Sequence, residues 1–271
     1  MTLAVLAQAR PAHAWTWVLG GGRDVPAPYA DPREPGLGFE VVERGVWSAR
    51  VGRAIEVGAS EPGTDTGTAR RAGLEFGLDG SAWLWFSSLP RFNFPLETVD
   101  GTFGFWAGSR GERVSWRVRL AHWSGHMGDG ASDLIARRIV YSRESLTALA
   151  FVDLTPHLRT YGGPALFVRA DPATQAFQFQ VGGEWRGGRR GFTPRSEAGS
   201  GSAPFLAVDL RAKAENAMRV NQSYRAGIRL VGPNHAGAFR VQLGYDAGHS
   251  ERGQEYRTPG RFVSLGCAFG E

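Results

Sequence analysis

The stretch whose reading decides the fold is Arg113 to Asp129, RVSWRVRLAHWSGHMGD. Val114, Trp116, Val118 and Leu120 alternate with Arg113, Ser115, Arg117 and Arg119. A period of two belongs to an extended strand, because successive side chains leave a strand on opposite faces. One face is therefore apolar and the other cationic. A dry core rejects unpaired arginines, so the strand suits a wall between lipid and water. The apolar face runs on into His122, Ser124 and His126. Polar groups thus appear abruptly on the side that otherwise asks for hydrocarbon.

The rest of the chain fits such a wall. Among 271 residues are 38 Gly and 9 Trp, and 42% are hydrophobic. No apolar run approaches the roughly 18 residues of a membrane helix. Gly, aromatics and alternation with modest hydrophobicity suit a membrane β-barrel, whose signal per strand is weak. The net charge is +5, and Lys213 is the single lysine. The arginines are spread one or two per strand rather than gathered in a basic patch, which argues against nucleic acid as a partner. Cys267 is the single cysteine, which excludes an internal disulfide and a cysteine-based zinc site. Residues 1–14, MTLAVLAQARPAHA, end in Ala12-His13-Ala14 before Trp15, the shape of a signal-peptide tail and its cleavage site.

Residues 15–46 are rich in Gly, Pro and Asp and predict an irregular segment, with a short strand candidate at 38–44 standing outside the barrel. Strand candidates then follow at 47–59, 70–79, 82–88, 98–109, 112–124, 137–152, 157–169, 175–186, 204–213, 217–231, 237–247 and 261–270. Asp79-Gly80 and Ser109-Arg110-Gly111 read as tight reversals. The expected fold is all-β: a closed antiparallel transmembrane β-barrel of about twelve strands over 47–271. With the C-terminus in the periplasm, the connections at 60–69, 89–97, 125–136 and 248–260 fall outside, and the short ones fall inside. Residues 187–203 are the exception, long but inside. In the last strand Val263, Leu265, Cys267 and Phe269 share a face, as in the segment that outer-membrane insertion machinery receives. Trp47, Trp83, Trp85, Trp106, Trp116, Trp123 and Trp185 fall in strand candidates and suit aromatic girdles.

Several phrases together resemble the bacterial domain-of-unknown-function 1207 family. They are Ala30-Asp31-Pro32-Arg33-Glu34-Pro35, then His122-x-Ser124-x-His126-x-Gly128-Asp129, then Arg138 to Glu144, Arg159 to Gly163 and Gly182 to Arg186. The resemblance runs from about 25 to 190 and more weakly to the end. It implies an exported, outer-membrane-barrel-like protein of Gram-negative-type bacteria and no particular activity. Gly125 and Met127 depart from the Ser and Leu expected inside the His-x-Ser-x-His phrase.

The chemistry resides in His122, Ser124 and Glu144. A serine hydroxyl needs a base within hydrogen-bond reach. A His at i leans over a Ser at i+2 on a strand, about 7 Å apart at the backbone. A turn near 130–136 brings Glu144 beside His122 to orient the imidazole. The arrangement is similar to outer-membrane phospholipase A and the lipid A deacylase barrels, which implies a lipid-facing acyl hydrolase acting on membrane lipid. The opposing reading is that polar residues near a strand end lie at headgroup level and carry no chemistry. Calcium is the one cofactor considered, through Asp129 and Asp133, with His126 and Asp129 as alternative metal ligands. On the other face, Arg113, Arg117 and Arg119, with Arg137 or Arg138, Arg159 and Arg186, would line a lumen. If open, it favours anions; if closed, these arginines pair with Glu112, Glu144 or Glu184. A non-enzymatic structural barrel and a soluble ligand-binding β-sandwich complete the alternatives.

Overall fold

The computed structural model describes residues 15–17, 25–60, 73–88, 93–130, 138–188, 191–192, 201–231 and 238–269. The signal-peptide reading of 1–14 and Asp133 lie outside these residues. The strands are β1 (Trp15–Trp17), β2 (Leu37–Val42), β3 (Val46–Ser60), β4 (Leu74–Ser87), β5 (Leu96–Arg110), β6 (Val114–Met127) and β7 (Tyr141–Thr155). Then come β8 (Leu158–Asp171), β9 (Phe177–Arg186), β10 (Gly201–Lys213), β11 (Arg219–Val231), β12 (Ala238–His249) and β13 (Pro259–Phe269). All 13 belong to one sheet, in which β1 pairs with the far end of β3 alone. From β2 onward each strand pairs antiparallel with the next, and β2 closes the ring on β13, from Leu37 opposite Phe269 to Val42 opposite Ser264. The closed barrel thus has the expected twelve strands.

Two readings of the sequence are corrected, and they cancel in the count. Residues 70–79 and 82–88 are a single strand, β4, with no reversal at Asp79-Gly80. Asp79 is the buried partner of an arginine inside the barrel, which is why an Asp-Gly pair runs straight through. The ring also begins at Leu37 rather than 47, because β2 supplies the closing ladder. Merging β4 moves the 61–73 connection to the end that holds 187–200 and the C-terminus. The long connections are therefore shared between both ends, and their lengths do not orient the barrel.

The two faces separate as the alternation of β6 demands. Outward lie Val114, Trp116, Val118 and Leu120, with Phe103 and Phe105 of β5 and Leu243 and Leu265 further round. An outward belt this apolar and continuous suits a barrel set in hydrocarbon. Inward lie Arg117 and Arg119 of β6, Asp79 of β4 and Asp209 and Arg211 of β10, all buried. Trp83, Trp106 and Trp123 are also buried inside, so these tryptophans do not form an interfacial girdle.

The lumen is filled by the chain itself. Residues 25–36 form a strap inside the ring. The strap begins at Val25, packed over Gly108 of β5, where an added Cβ would stand 2.9 Å from the valine side chain. It reaches Trp83, whose indole donates to the Pro32 carbonyl at 3.0 Å, and returns to β2. Every charge of Asp31-Pro32-Arg33-Glu34 meets a counter-charge. Arg117 forks onto Glu34 with two 2.8 Å bonds. Asp31 takes Arg211 and the Gln180 amide. Arg33 pairs with Glu251 at 2.6 Å. Glu251 belongs to the 250–258 connection, which folds over the same end of the lumen. It also accepts from Lys213 at 2.7 Å and Asn221 at 2.8 Å. The Gly253 amide donates to Asp100 at 2.9 Å, and the Gln254 amide group bonds the Gly125 carbonyl at 2.6 Å. Cavities of about 160 and 70 Å³ remain beside the strap, both lined in part by Asp31 and Arg33.

Candidate functional site

The outward end of β6 carries the candidate site. Phe103 of β5, His122 of β6 and Glu144 of β7 are direct partners across neighbouring ladders. They form a row at one height on the outer surface, since directly opposed residues of adjacent strands share a face. His122 and Glu144 meet through Nδ1 and Oε1 at 2.7 Å, with side-chain exposures of 28% and 35%. The imidazole also lies against Phe103, ring centroids 5.2 Å apart. Fixing Nδ1 on a carboxylate turns Nε2, the opposite ring nitrogen, into the free one.

Ser124 follows two residues along on the same face, nearer the strand end, between Gly101 of β5 and Ser142 of β7. A Cβ at Gly101 would come within 3.5 Å of the Ser124 hydroxyl, so the glycine leaves the outer surface open beside it. No hydrogen bond joins Ser124 to His122 among the described residues. The structure therefore assembles the His–Glu half of the expected triad and sets the serine one pleat away. Such bonds are often long until substrate is bound.

The other expected residues fare differently. His126 is exposed on the outer face and Asp129 is exposed in the turn beyond β6. Among the described residues no group of three or more His, Cys, Asp or Glu side chains stands close enough to hold a metal. Arg113 is exposed in the turn before β6 and does not line the lumen, because the strand and its alternation begin only at Val114. Arg117 and Arg119 do face inward, but they are spent on Glu34 and on Asp79. Arg159 is likewise held by Asp153 at 2.5 Å. Glu144, considered as a lumen counter-charge, is on the outside. With Arg117, Arg119 and Arg159 paired to acids and the strap in place, the lumen is not, among the described residues, the open cationic tube that an anion pore requires.

Sequence reasoning missed Phe103 and the strap. Phe103 was legible in principle, since it alternates with Thr102 and Gly104, but its partner could be named only once the β5–β6 register was known. The strap carries no periodicity, and its bonds join residues 83, 149 and 218 positions apart.

Comparison with known proteins gives a family and no activity. No curated protein matches the chain. Among solved structures, a double mutant of the Rh. blastica porin is similar at a TM-score of 0.33 and 11% identity, over 87% of this chain and 97% of that one. At that score the likeness adds nothing to the fold, which rests on the strand pairings. The model of a family described as proteins of unknown function, DUF1207, matches residues 70–270, and the chain belongs to that family.

Proposed function

We propose that the chain is a bacterial outer-membrane barrel that hydrolyses acyl esters of the lipid around it, with Ser124 as nucleophile, His122 as general base and Glu144 holding the imidazole. The observation that carries this reading is the 2.7 Å bond between His122 Nδ1 and Glu144 on the outward face, one pleat from Ser124. A histidine hydrogen-bonded to a carboxylate on a lipid-facing surface is costly and calls for a reason. Its height supports the same reading. Leu120 and Leu146 lie on the hydrocarbon side, whereas His126, Asp129 and Arg138 lie on the water side. Lipid esters sit at that boundary.

In this reading the Ser124 hydroxyl attacks the ester carbonyl as its proton passes to His122 Nε2. The imidazolium is stabilised by Glu144 and returns the proton to the departing lipid alcohol. Water, activated by the same histidine, then releases the fatty acid from the serine. The Ser142 hydroxyl, opposite Ser124 on the same face, is placed to donate to the developing oxyanion.

The test is fatty-acid release by the full chain reconstituted in vesicles of bacterial phospholipid. Ser124→Ala and His122→Ala are each expected to lower the rate at least about 10³-fold, since triad members act as a unit. Glu144→Gln is expected to lower it less. Absence of release by the wild type, or full release by Ser124→Ala, ends the hydrolase reading and leaves a plugged structural barrel.

A further inference from the structure

The row that begins at Phe103, His122 and Glu144 does not stop at β7. Across the next ladder Glu144 stands opposite Arg169 of β8. This is so only because of a bulge. Ser145 pairs with Phe167 and Glu144 pairs with Arg169, so Val168 is the extra residue. Phe167 is buried in the lumen, packed under Arg143. In a regular strand Arg169 would follow Phe167 inward. The bulge instead turns both Val168 and Arg169 outward, Val168 at 70% exposure. Bulges of this kind re-aim a side chain at a functional surface.

Arg169 is exposed and makes no ion pair among the described residues. Two acidic groups share its face, Glu144 across the ladder and Asp171 two residues along. Glu144 is engaged by His122. Asp171 is further toward the strand end and lies at no ion-pairing distance from Arg169. The guanidinium is thus available for an outside ligand, about two strand spacings, or ~10 Å, from the backbone of His122. Its long stem lets the head rise along the apolar wall toward the water, to the level of Ser124 and beyond.

Resting on the hydrolase reading above, we infer that Arg169 is the residue that selects the substrate class: it holds the phosphate of a phosphate-bearing acyl lipid while the ester lies at Ser124. In a glycerophospholipid the phosphate and the nearest acyl ester are on adjacent glycerol carbons, so one headgroup spans from Arg169 to the serine. Guanidinium is suited to this task because it meets two phosphate oxygens at once in a fork that ammonium cannot match. Neutral lipids with the same acyl chains lack the group that this arginine recognises.

The experiment separates this inference from catalysis by using a chain that cannot turn over. Full-length protein carrying Ser124→Ala, in detergent, is offered phosphatidylglycerol and diacylglycerol of the same chains, and retention of each is read by native mass spectrometry. The expected result is a preference for phosphatidylglycerol that falls about tenfold on adding Arg169→Gln, as for loss of one charge-assisted contact, and that Arg169→Lys partly restores. Heat-modified migration in gels reports whether each variant is still a barrel. Equal retention of the two lipids, or a preference untouched by Arg169→Gln in a folded barrel, overturns the inference and leaves Arg169 as an exposed charge with no ligand. If the preference depends on Arg169 but the wild type releases no fatty acid, the phosphate site stands and the hydrolase reading falls.

Discussion

Asp79 and Arg119 face each other inside the barrel, joined by bonds of 2.7 and 2.5 Å, with Thr102 adding a third contact at 3.2 Å. Both are buried, so each charge is compensated by the other. Asp79→Asn is therefore expected to cost about 3–5 kcal/mol of barrel stability, since it strands a buried guanidinium. Combining it with Arg119→Met should recover most of that loss. Urea unfolding of the vesicle-inserted protein measures both, and a double variant no more stable than the single one would show that the pair is not the unit. Gly125 is a second case of one residue setting the surroundings. It faces inward where the 250–258 connection folds in, and an added Cβ would lie 3.0 Å from the Gly253 Cα. The departure from Ser at this position thus makes room for the loop and leaves the outward His122 and Ser124 unaffected.

At the scale of elements, the strap decides what the lumen can do. A variant lacking residues 25–36 is expected to expose Arg117, Arg211 and their neighbours and to conduct ions in planar bilayers with a preference for anions. The wild type should show little or no conductance. Equal conductance of the two would mean that the strap does not obstruct the lumen. This element also marks the limit of what the sequence discloses. The alternation of β6 announced an amphipathic strand, and the outward turn of His122 and Ser124 followed from its period alone. The pairing of His122 with Glu144 was legible because β6 and β7 are consecutive strands that pair as neighbours. Asp79-Gly80 misled because turn chemistry and a buried ion pair use the same residues, and only the distant Arg119 tells them apart. The 38–44 strand was set aside because its partner is the far end of the chain. Arg169 was invisible as a site residue, since one bulge reverses the face of everything after it and leaves no local trace.

At the scale of the molecule, the strap and the 250–258 connection are one assembly, held by Glu251. Burial alone would raise its carboxyl. Lys213, Arg33 and Arg211 outweigh that and hold it well below the usual carboxylate range. A carboxylate held down in the folded state stabilises fully above its unfolded value of about 4.3 and loses that contribution only as pH falls below it. Hydrogen-exchange protection of the Thr258 amide, which donates to the Glu255 carbonyl at 2.7 Å within the same connection, should therefore, once corrected for intrinsic rates, be flat from pH 8 to about 5 and fail only in stronger acid. Glu251→Gln should lower the protection throughout that range. Protection that fades between pH 7 and 5 in the wild type would point to another group as the latch.

The strap is joined to β2 through Gly36 alone. Its acidic groups are therefore presented to Arg117 and Arg211 intramolecularly, at an effective concentration that for short tethers is on the order of millimolar. A free anion arriving from solution competes with a ligand that never diffuses away. Only a solute that is abundant, or that grips several of these arginines at once, would displace it, so the barrel is built to remain shut in ordinary salt.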